Sequence, residues 1–363
     1  LKLDPESVWI TYRLGKDLDA AGKHSEADAL MSGLAKRRPA DPEQVYANGL
    51  YLSGKNQDAA ALTHLNTLPR SQWNGNINEL ADRLQSNRIM ETANRLRDSG
   101  KESEAIMLLK QQPQSDRIDL TLADWATQRG DHATATAQYQ QVLQRDPANN
   151  DARLGLAEVY AAQGNKIQAR EQLTQMPPVA SEPPSVNTER RIANVQSAVG
   201  DTTQAEQTFA RIIPLAKSQP PSMESALVMR DGARFQAENH QPQQAIETYK
   251  DAMLASGVAD TRPMDNDTFT RLTRNDAKDD WLKRGLRSDA ADLYRQQDVN
   301  VTLDHDYWGS SGTPGYSDLQ AHTTMLQVDA PLSDGRMWFR TDVVGMDAGT
   351  FENSGDGGYN ERW

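Results

Sequence analysis

The chain has 363 residues, of which 37% are hydrophobic and none is cysteine, and a formal charge of -12. That balance argues against nucleic acid, which needs clustered Lys and Arg to displace counterions from phosphates, and the missing thiols exclude disulfides and thiolate metal sites. Mean hydropathy is -0.76 and no run approaches about 18 apolar residues, so no membrane-spanning helix is predicted, and the polarity suits repeats that touch only their neighbours.

In chain order, Leu1-Lys2-Leu3-Asp4-Pro5 reads as the closing turn of an earlier repeat, so a fragment of a longer protein is expected. A mark then recurs, a Gly followed five residues later by an Ala: Gly22/Ala27, Gly54/Ala59, Gly100/Ala105, Gly130/Ala135, Gly164/Ala169 and Gly200/Ala205, with His240/Ala245 as a seventh that has lost its Gly. The Gly closes one helix in the left-handed conformation that it adopts cheaply, and the Ala lets the next helix approach. Leu109, Tyr139, Leu173, Phe209 and Tyr249 stand four residues after an Ala and fill the joint between the helices. Breaks are expected at residues 69–79, 177–187 and 218–223, where Pro, Gly and Asn interrupt the pattern.

Spacings of 30 to 46 residues bracket the tetratricopeptide period of about 34. Leu14-Gly15, Ala123, Pro147, Ala157 and Tyr160 also fall in that pattern, so residues 1–255 resemble a tetratricopeptide array, an α-solenoid of about seven helix pairs. The resemblance implies a concave partner-binding face built from positions 2, 5, 9 and 12–13 of each first helix. Those positions predict groove residues Asn87, Asn94, Arg97, Asp98, Arg117, Asp124, Gln128, Asp151, Glu158, Asn187, Arg190 and Asn194, a polar face of mixed charge. None of the seven Trp is expected in the groove, with Trp125 beside it at a packing position. The face therefore suits a protein or peptidoglycan better than a glucan, and a merely solvated surface is the alternative for any one of these residues.

Residues 256–297 read as a helical cap or linker, with Trp281, Leu282, Leu286, Ala290 and Leu293 at helical spacing. From 298 the period falls to two. Val299, Val301 and Leu303 alternate with polar residues; a second strand at about 318–330 carries Thr324, Leu326, Val328 and Ala330 on one face, and a third at 336–347 carries Met337, Phe339, Thr341 and Val343. Alternating segments of this length, a short turn at 331–335 and longer loops at 309–317 and 348–360 fit the start of an outer-membrane β-barrel. An antiparallel sheet of a soluble sandwich alternates identically and stays open. Trp338, Arg340 and Asp342 share the parity opposite the apolar set, so they are possible lumen residues, or Trp338 belongs to an interfacial aromatic girdle.

Repeats running into barrel strands, with Asp306-Tyr307-Trp308-Gly309 and Ser333-Asp334-Gly335-Arg336-Met337-Trp338, resemble the outer-membrane exporter family of bacterial cellulose synthesis, as found in enteric bacteria. The resemblance covers the family's C-terminal repeats and first barrel strands. It implies a periplasmic scaffold and outer-membrane export pore of a Gram-negative bacterium, with the inner-membrane cellulose synthase complex or peptidoglycan on the repeats and polysaccharide in the barrel. Exporters of poly-N-acetylglucosamine share the architecture, and a soluble peptide-binding adaptor or chaperone with a small β domain is the alternative from another class.

No enzyme, cofactor or metal is expected. The six His form no His-Glu-x-x-His pair, and neither a P-loop nor a Gly-x-Ser-x-Gly elbow occurs. In Asp304-His305-Asp306, strand alternation sends His305 to the face opposite both carboxylates. Asp356-Gly357-Gly358 reads as a Gly-rich outer loop, since no further calcium ligands stand at the required spacing.

Overall fold

The structure is a computed structural model that describes residues 7–176, 185–312, 318–332 and 335–349. Sixteen helices in a tetratricopeptide-like arrangement precede a three-stranded antiparallel sheet among these residues. They fall into two compact units that divide at Val142/Leu143.

The first unit contains α1 (Val8–Ala20), α2 (His24–Arg37), α3 (Pro42–Gly54), α4 (Asp58–Leu65), α5 (Gly75–Asp98), α6 (Glu102–Lys110), α7 (Asp116–Gln128) and most of α8 (His132–Arg145). Its apolar side chains bury in separate clusters between adjacent helices, for example Val8, Met31, Leu34 and Tyr51 in one and Met90, Leu109, Leu122 and Trp125 in another. This is how a repeat protein distributes its core. The expected break at 69–79 is largely helix: a single 3-10 turn at Arg70–Gln72 leads into the 24-residue α5. The added turns are held because Ile77, Leu80 and Leu84 pack with Leu65 and Leu68, while Met90 and Ala93 belong to the next cluster.

Gly22, Gly100, Gly130, Gly164 and Gly200 do sit at φ between 78° and 89°, each in the turn between paired helices. The second mark is misplaced in the sequence reading. Gly54 is the last residue of α3, the left-handed residue is Asn56 at φ 59°, and the buried alanine is Ala61, with Ala59 exposed. Asn tolerates that conformation better than other side chains, which is why the Gly-based mark slipped by two. His240 fills the same role at φ 62°.

The second unit holds α9 (Asn150–Ala162), α10 (Lys166–Thr174), α11 (Val186–Ala198), α12 (Thr202–Ser218), α13 (Met223–Glu238), α14 (Pro242–Ser256), α15 (Asn266–Leu272) and α16 (Trp281–Gln297). Phe209, Phe235, Met253, Phe269 and Leu286 share one buried cluster that runs through α16, so the last helix closes the stack.

The strands β1 (Asn300–Ser310), β2 (Leu319–Leu332) and β3 (Gly335–Asp347) form a meander in the order β1-β2-β3. Pro331, Leu332 and Gly335, expected in a turn, are in the ladder, where Pro331 and Leu332 pair with Arg336 and Gly335. The sheet is not closed: β1 and β3 are both edges among the described residues. No helix among them is long and apolar enough to cross a membrane.

Candidate interaction surfaces

With Ala61 in place of Ala59, one spacing holds in every repeat. A small residue stands twelve positions before each buried alanine: Gly15/Ala27, Gly49/Ala61, Ala93/Ala105, Ala123/Ala135, Ala157/Ala169, Ala193/Ala205 and Ala233/Ala245. Gly49 shows why: a Cβ there would meet Leu65 Cδ2 at 2.9 Å and Leu80 Cδ2 at 3.0 Å. The small residue is the eighth of α1, α3, α7, α9 and α11, while α5 and α13 begin earlier, and the predicted groove positions can be read by counting it as position eight of each repeat.

Most predicted groove residues tie one first helix to the next. Asn87 on α5 donates to Asp58 at 3.0 Å and accepts from Arg117 on α7 at 2.6 Å. Arg97 donates to Glu102 at 3.1 Å and to Gln128 on α7 at 2.5 Å, and its guanidinium lies 5.2 Å over the buried Trp125 ring. Asp124 accepts the Tyr139 hydroxyl. In the second unit Glu158 on α9 accepts from Arg191 on α11 at 2.6 Å. Arg190 donates to Asp231 on α13 and to Asn187, both at 2.7 Å, and Asn194 donates to Asp231 at 2.9 Å. Asn94, Asp98 and Asp151 are exposed. Apart from the bonds to Asp231, which is buried, these are partly exposed contacts that each contribute about 0–1 kcal/mol, so their larger effect is on how successive helices register.

Two features of this face escaped the sequence reading. Asp231 is buried, with Arg230 and Arg190 on either side; it lies in the seventh repeat, one position after the groove position held by Arg230. Trp9 occupies the second position of α1, so the expectation of a groove free of Trp fails in the first repeat. Trp125 is at a packing position as expected, 4% exposed.

Around the turn at Gly22, Lys55 donates to Asp28 at 2.8 Å and Tyr51 donates to the same carboxylate at 2.7 Å. Burial first, and then the Asp28 carboxylate, push the Tyr51 hydroxyl up to about 12. This cluster joins α2 to α3.

In the sheet, register gathers the two sets of side chains onto opposite faces. Val301 and Leu303 pair with Val328 and Leu326, which pair in turn with Phe339 and Thr341, and Ala330 pairs with Met337. On the other face Asp329 pairs with Trp338, Gln327 with Arg340 and Met325 with Asp342. Arg340 donates to Asp342 at 3.0 Å. Trp308 shares this polar face through its partner Ala321. His305 is on the apolar face, donor or acceptor to the Thr324 hydroxyl at 2.8 Å, with its ring 6.0 Å from that of His322. The loop at Asp356-Gly357-Gly358 lies outside the described residues.

Arg336, at the start of β3, joins helix to sheet. Its guanidinium donates to the carbonyls of Arg295 at 3.1 Å, Gln296 at 2.9 Å and Asp298 at 2.8 Å, which end α16, and pairs with Asp329 of β2 at 3.0 Å. A planar fork can serve several carbonyls left unpaired at a helix terminus, and its charge complements the helix dipole there. Arg336→Ala is expected to destabilise this joint by about 1–2 kcal/mol, read as faster amide exchange in the last turn of α16 and the start of β1. Arg336→Lys should restore only part of the protection, because an ammonium cannot span the three carbonyls.

A tetratricopeptide repeat model matches residues 126–188. Cellulose synthase operon protein C of Escherichia coli strain K12 is 66% identical over 363 residues, which is all of this chain and 31% of that protein. The protein of the same name from Salmonella typhimurium is also 66% identical over the whole chain. Cellulose synthase 2 operon protein C of Komagataeibacter xylinus is 26% identical over 65% of the chain and 19% of its own length. Among solved structures, a tetratricopeptide repeat protein from Parabacteroides merdae, 14% identical, covers 73% of this chain and 96% of its own at a TM-score of 0.41. The chain thus spans about a third of the length of its curated relatives and is homologous throughout to a segment of cellulose synthase operon protein C that carries tetratricopeptide repeats.

Proposed function

We propose that the chain is part of an exopolysaccharide exporter, with cellulose as the polymer. Residues 1–255 form a periplasmic repeat scaffold, 256–297 its cap, and 298–363 the first strands of an outer-membrane barrel. In this reading the repeats engage the inner-membrane synthase complex or peptidoglycan, the polymer leaves through the barrel, and the chain performs no chemistry.

The observation that carries the proposal is an uncovered apolar face of the sheet. Val301, Leu303, Met337, Phe339 and Val343, each at least 53% exposed, share a face that no second layer covers among the described residues. Contiguous apolar surface of this sort marks an interface with lipid or protein, whereas a sandwich would bury it under a second sheet. The opposite face carries Trp338, Arg340 and Asp342, suited to a water-filled lumen in which a neutral polymer meets hydrogen-bonding groups, with the exposed Trp308, Val344 and Met346 toward its other end. The relatives' names direct the choice of polymer.

The test uses the chain extended to the full length of its 66% identical relatives. The extended protein should require detergent, insert into lipid vesicles and run as a heat-modifiable barrel. Phe339→Arg, a charge on the lipid face, should cost about 2–4 kcal/mol near the midplane and impair insertion, while Arg340→Ala inserts normally. A monomer soluble without detergent would overturn the proposal.

A further inference from the structure

Trp9 and Tyr12 stand at the second and fifth positions of α1, and Tyr46 at the fifth position of α3, all counted from the small residues Gly15 and Gly49. The three rings form one cluster. Trp9 lies 5.7 Å from Tyr12 at 84° and 5.9 Å from Tyr46 at 71°, an edge-to-face contact on each side. In later repeats the same face is held by ion pairs and amide bonds; here it is aromatic.

Trp9 is 41% exposed although the core beneath it is closed by Val8, Ala27, Met31, Leu34, Ala47 and Tyr51. An exposed indole at a groove position, supported on both sides by tyrosines, is a rigid apolar surface with little conformational freedom to lose on binding. The charge around it is mixed in sign, with Arg13, Lys16, Asp17 and Glu43 all exposed. Lys16, at the ninth position of α1, places its amine 5.6 Å over the Tyr12 ring, and Glu43, at the second position of α3, is exposed. An anionic or strongly cationic partner would find no matching field. A neutral polymer with flat C–H faces and peripheral hydroxyls fits, its face stacking on Trp9 while the two tyrosines, steeply inclined to the indole, buttress it and Lys16 and Glu43 meet the hydroxyls.

We infer that Trp9, Tyr12 and Tyr46 form a carbohydrate-binding platform on the helix-A face of the first two repeats, and that it holds a neutral β-linked glucan. The choice of glucan rests on the export reading above; the platform itself rests on the ring cluster. On this inference the repeats contact the polymer as well as proteins, contrary to what their polar later positions suggest.

The inference is tested by native electrophoresis of the 363-residue chain through gels containing hydroxyethylcellulose, and by titration with cellohexaose followed by tryptophan fluorescence. Retardation in the gel and saturable fluorescence change are expected. Trp9→Ala and Tyr46→Ala should each weaken binding about tenfold, with unchanged circular dichroism; either variant suffices if the other fails to fold. Trp281→Ala, at an exposed tryptophan outside the platform, should bind as the parent does. Absence of cellohexaose binding by the parent, binding unaltered in Trp9→Ala, or capture of a proline-rich peptide in place of the glucan would each overturn the inference. Because the assay involves no membrane, failure of barrel insertion leaves it readable, and its own failure leaves the insertion test untouched.

Discussion

Replacing Asp231 with Ala is expected to lower the unfolding free energy by about 3–5 kcal/mol. Its side chain is 6% exposed, and those of its partners Arg190 and Arg230 are each 14% exposed. Asn194 donates a further bond at 2.9 Å. Removal of the carboxylate would leave two guanidiniums close together without their shared anion, which is a larger penalty than the pair's net contribution. Burial alone would raise the Asp231 carboxyl, but Arg230, Asn194 and Arg190 outweigh it and hold it below its ordinary value. A depressed carboxylate contributes stability that is fully present above its unfolded value, near 3.9, and that is lost as pH falls through the folded one. Denaturant melts at neutral pH should therefore show the loss, and a pH series below about 4 should show that Asp231→Ala has a flatter acid limb than the parent. A cost under about 1 kcal/mol, the range of a surface pair, would mean that the arginines resolvate without strain. Double substitution with Arg190→Met should recover part of the loss, since one of the two stranded charges goes with it.

The fold was legible where a local rule has a single solution. Gly at a left-handed turn and Ala at a close helix crossing are steric necessities, so five of the six Gly marks located turns that the structure contains. The rule failed at residues 54–61, where Asn56 performs the same task with different chemistry, and that slip hid Tyr46 at a groove position. Strand parity was equally legible, because alternation assigns faces with no knowledge of register; register then added Trp308 to the polar face. Arg336 could not have been found this way. Its partners are backbone carbonyls some forty residues earlier, and a carbonyl has no sequence signature. The groove positions were located, but their engagement with neighbouring helices depends on side-chain reach between repeats, which periodicity does not encode. For the same reason, reversing Arg97 or Arg190 would disturb repeat stacking as well as any partner, and such variants report on binding only beside a stability measurement.

The second large effect is expected at Arg287, where Arg287→Ala should cost about 3–5 kcal/mol. The Arg287 and Asp279 side chains are 11% and 5% exposed and meet through two bonds, at 2.6 Å and 3.3 Å. Arg287 also donates to the Leu272 carbonyl at 2.8 Å, so one side chain fastens the end of α15 and the loop before α16 to the middle of α16. Its loss strands a buried carboxylate and a carbonyl together. Because α16 is also the helix whose final carbonyls Arg336 holds, the disturbance should travel: amides in α16 and at the start of β1 should exchange faster, while those of the first unit keep their rates. Asp279→Leu combined with Arg287→Met tests the cause. Removing both charges should recover most of the stability, leaving chiefly the unpaired Leu272 carbonyl, worth about 1–3 kcal/mol. If the double variant is as unstable as Arg287→Ala, packing of the arginine stem, not its charge, holds this end of the helical stack against the sheet.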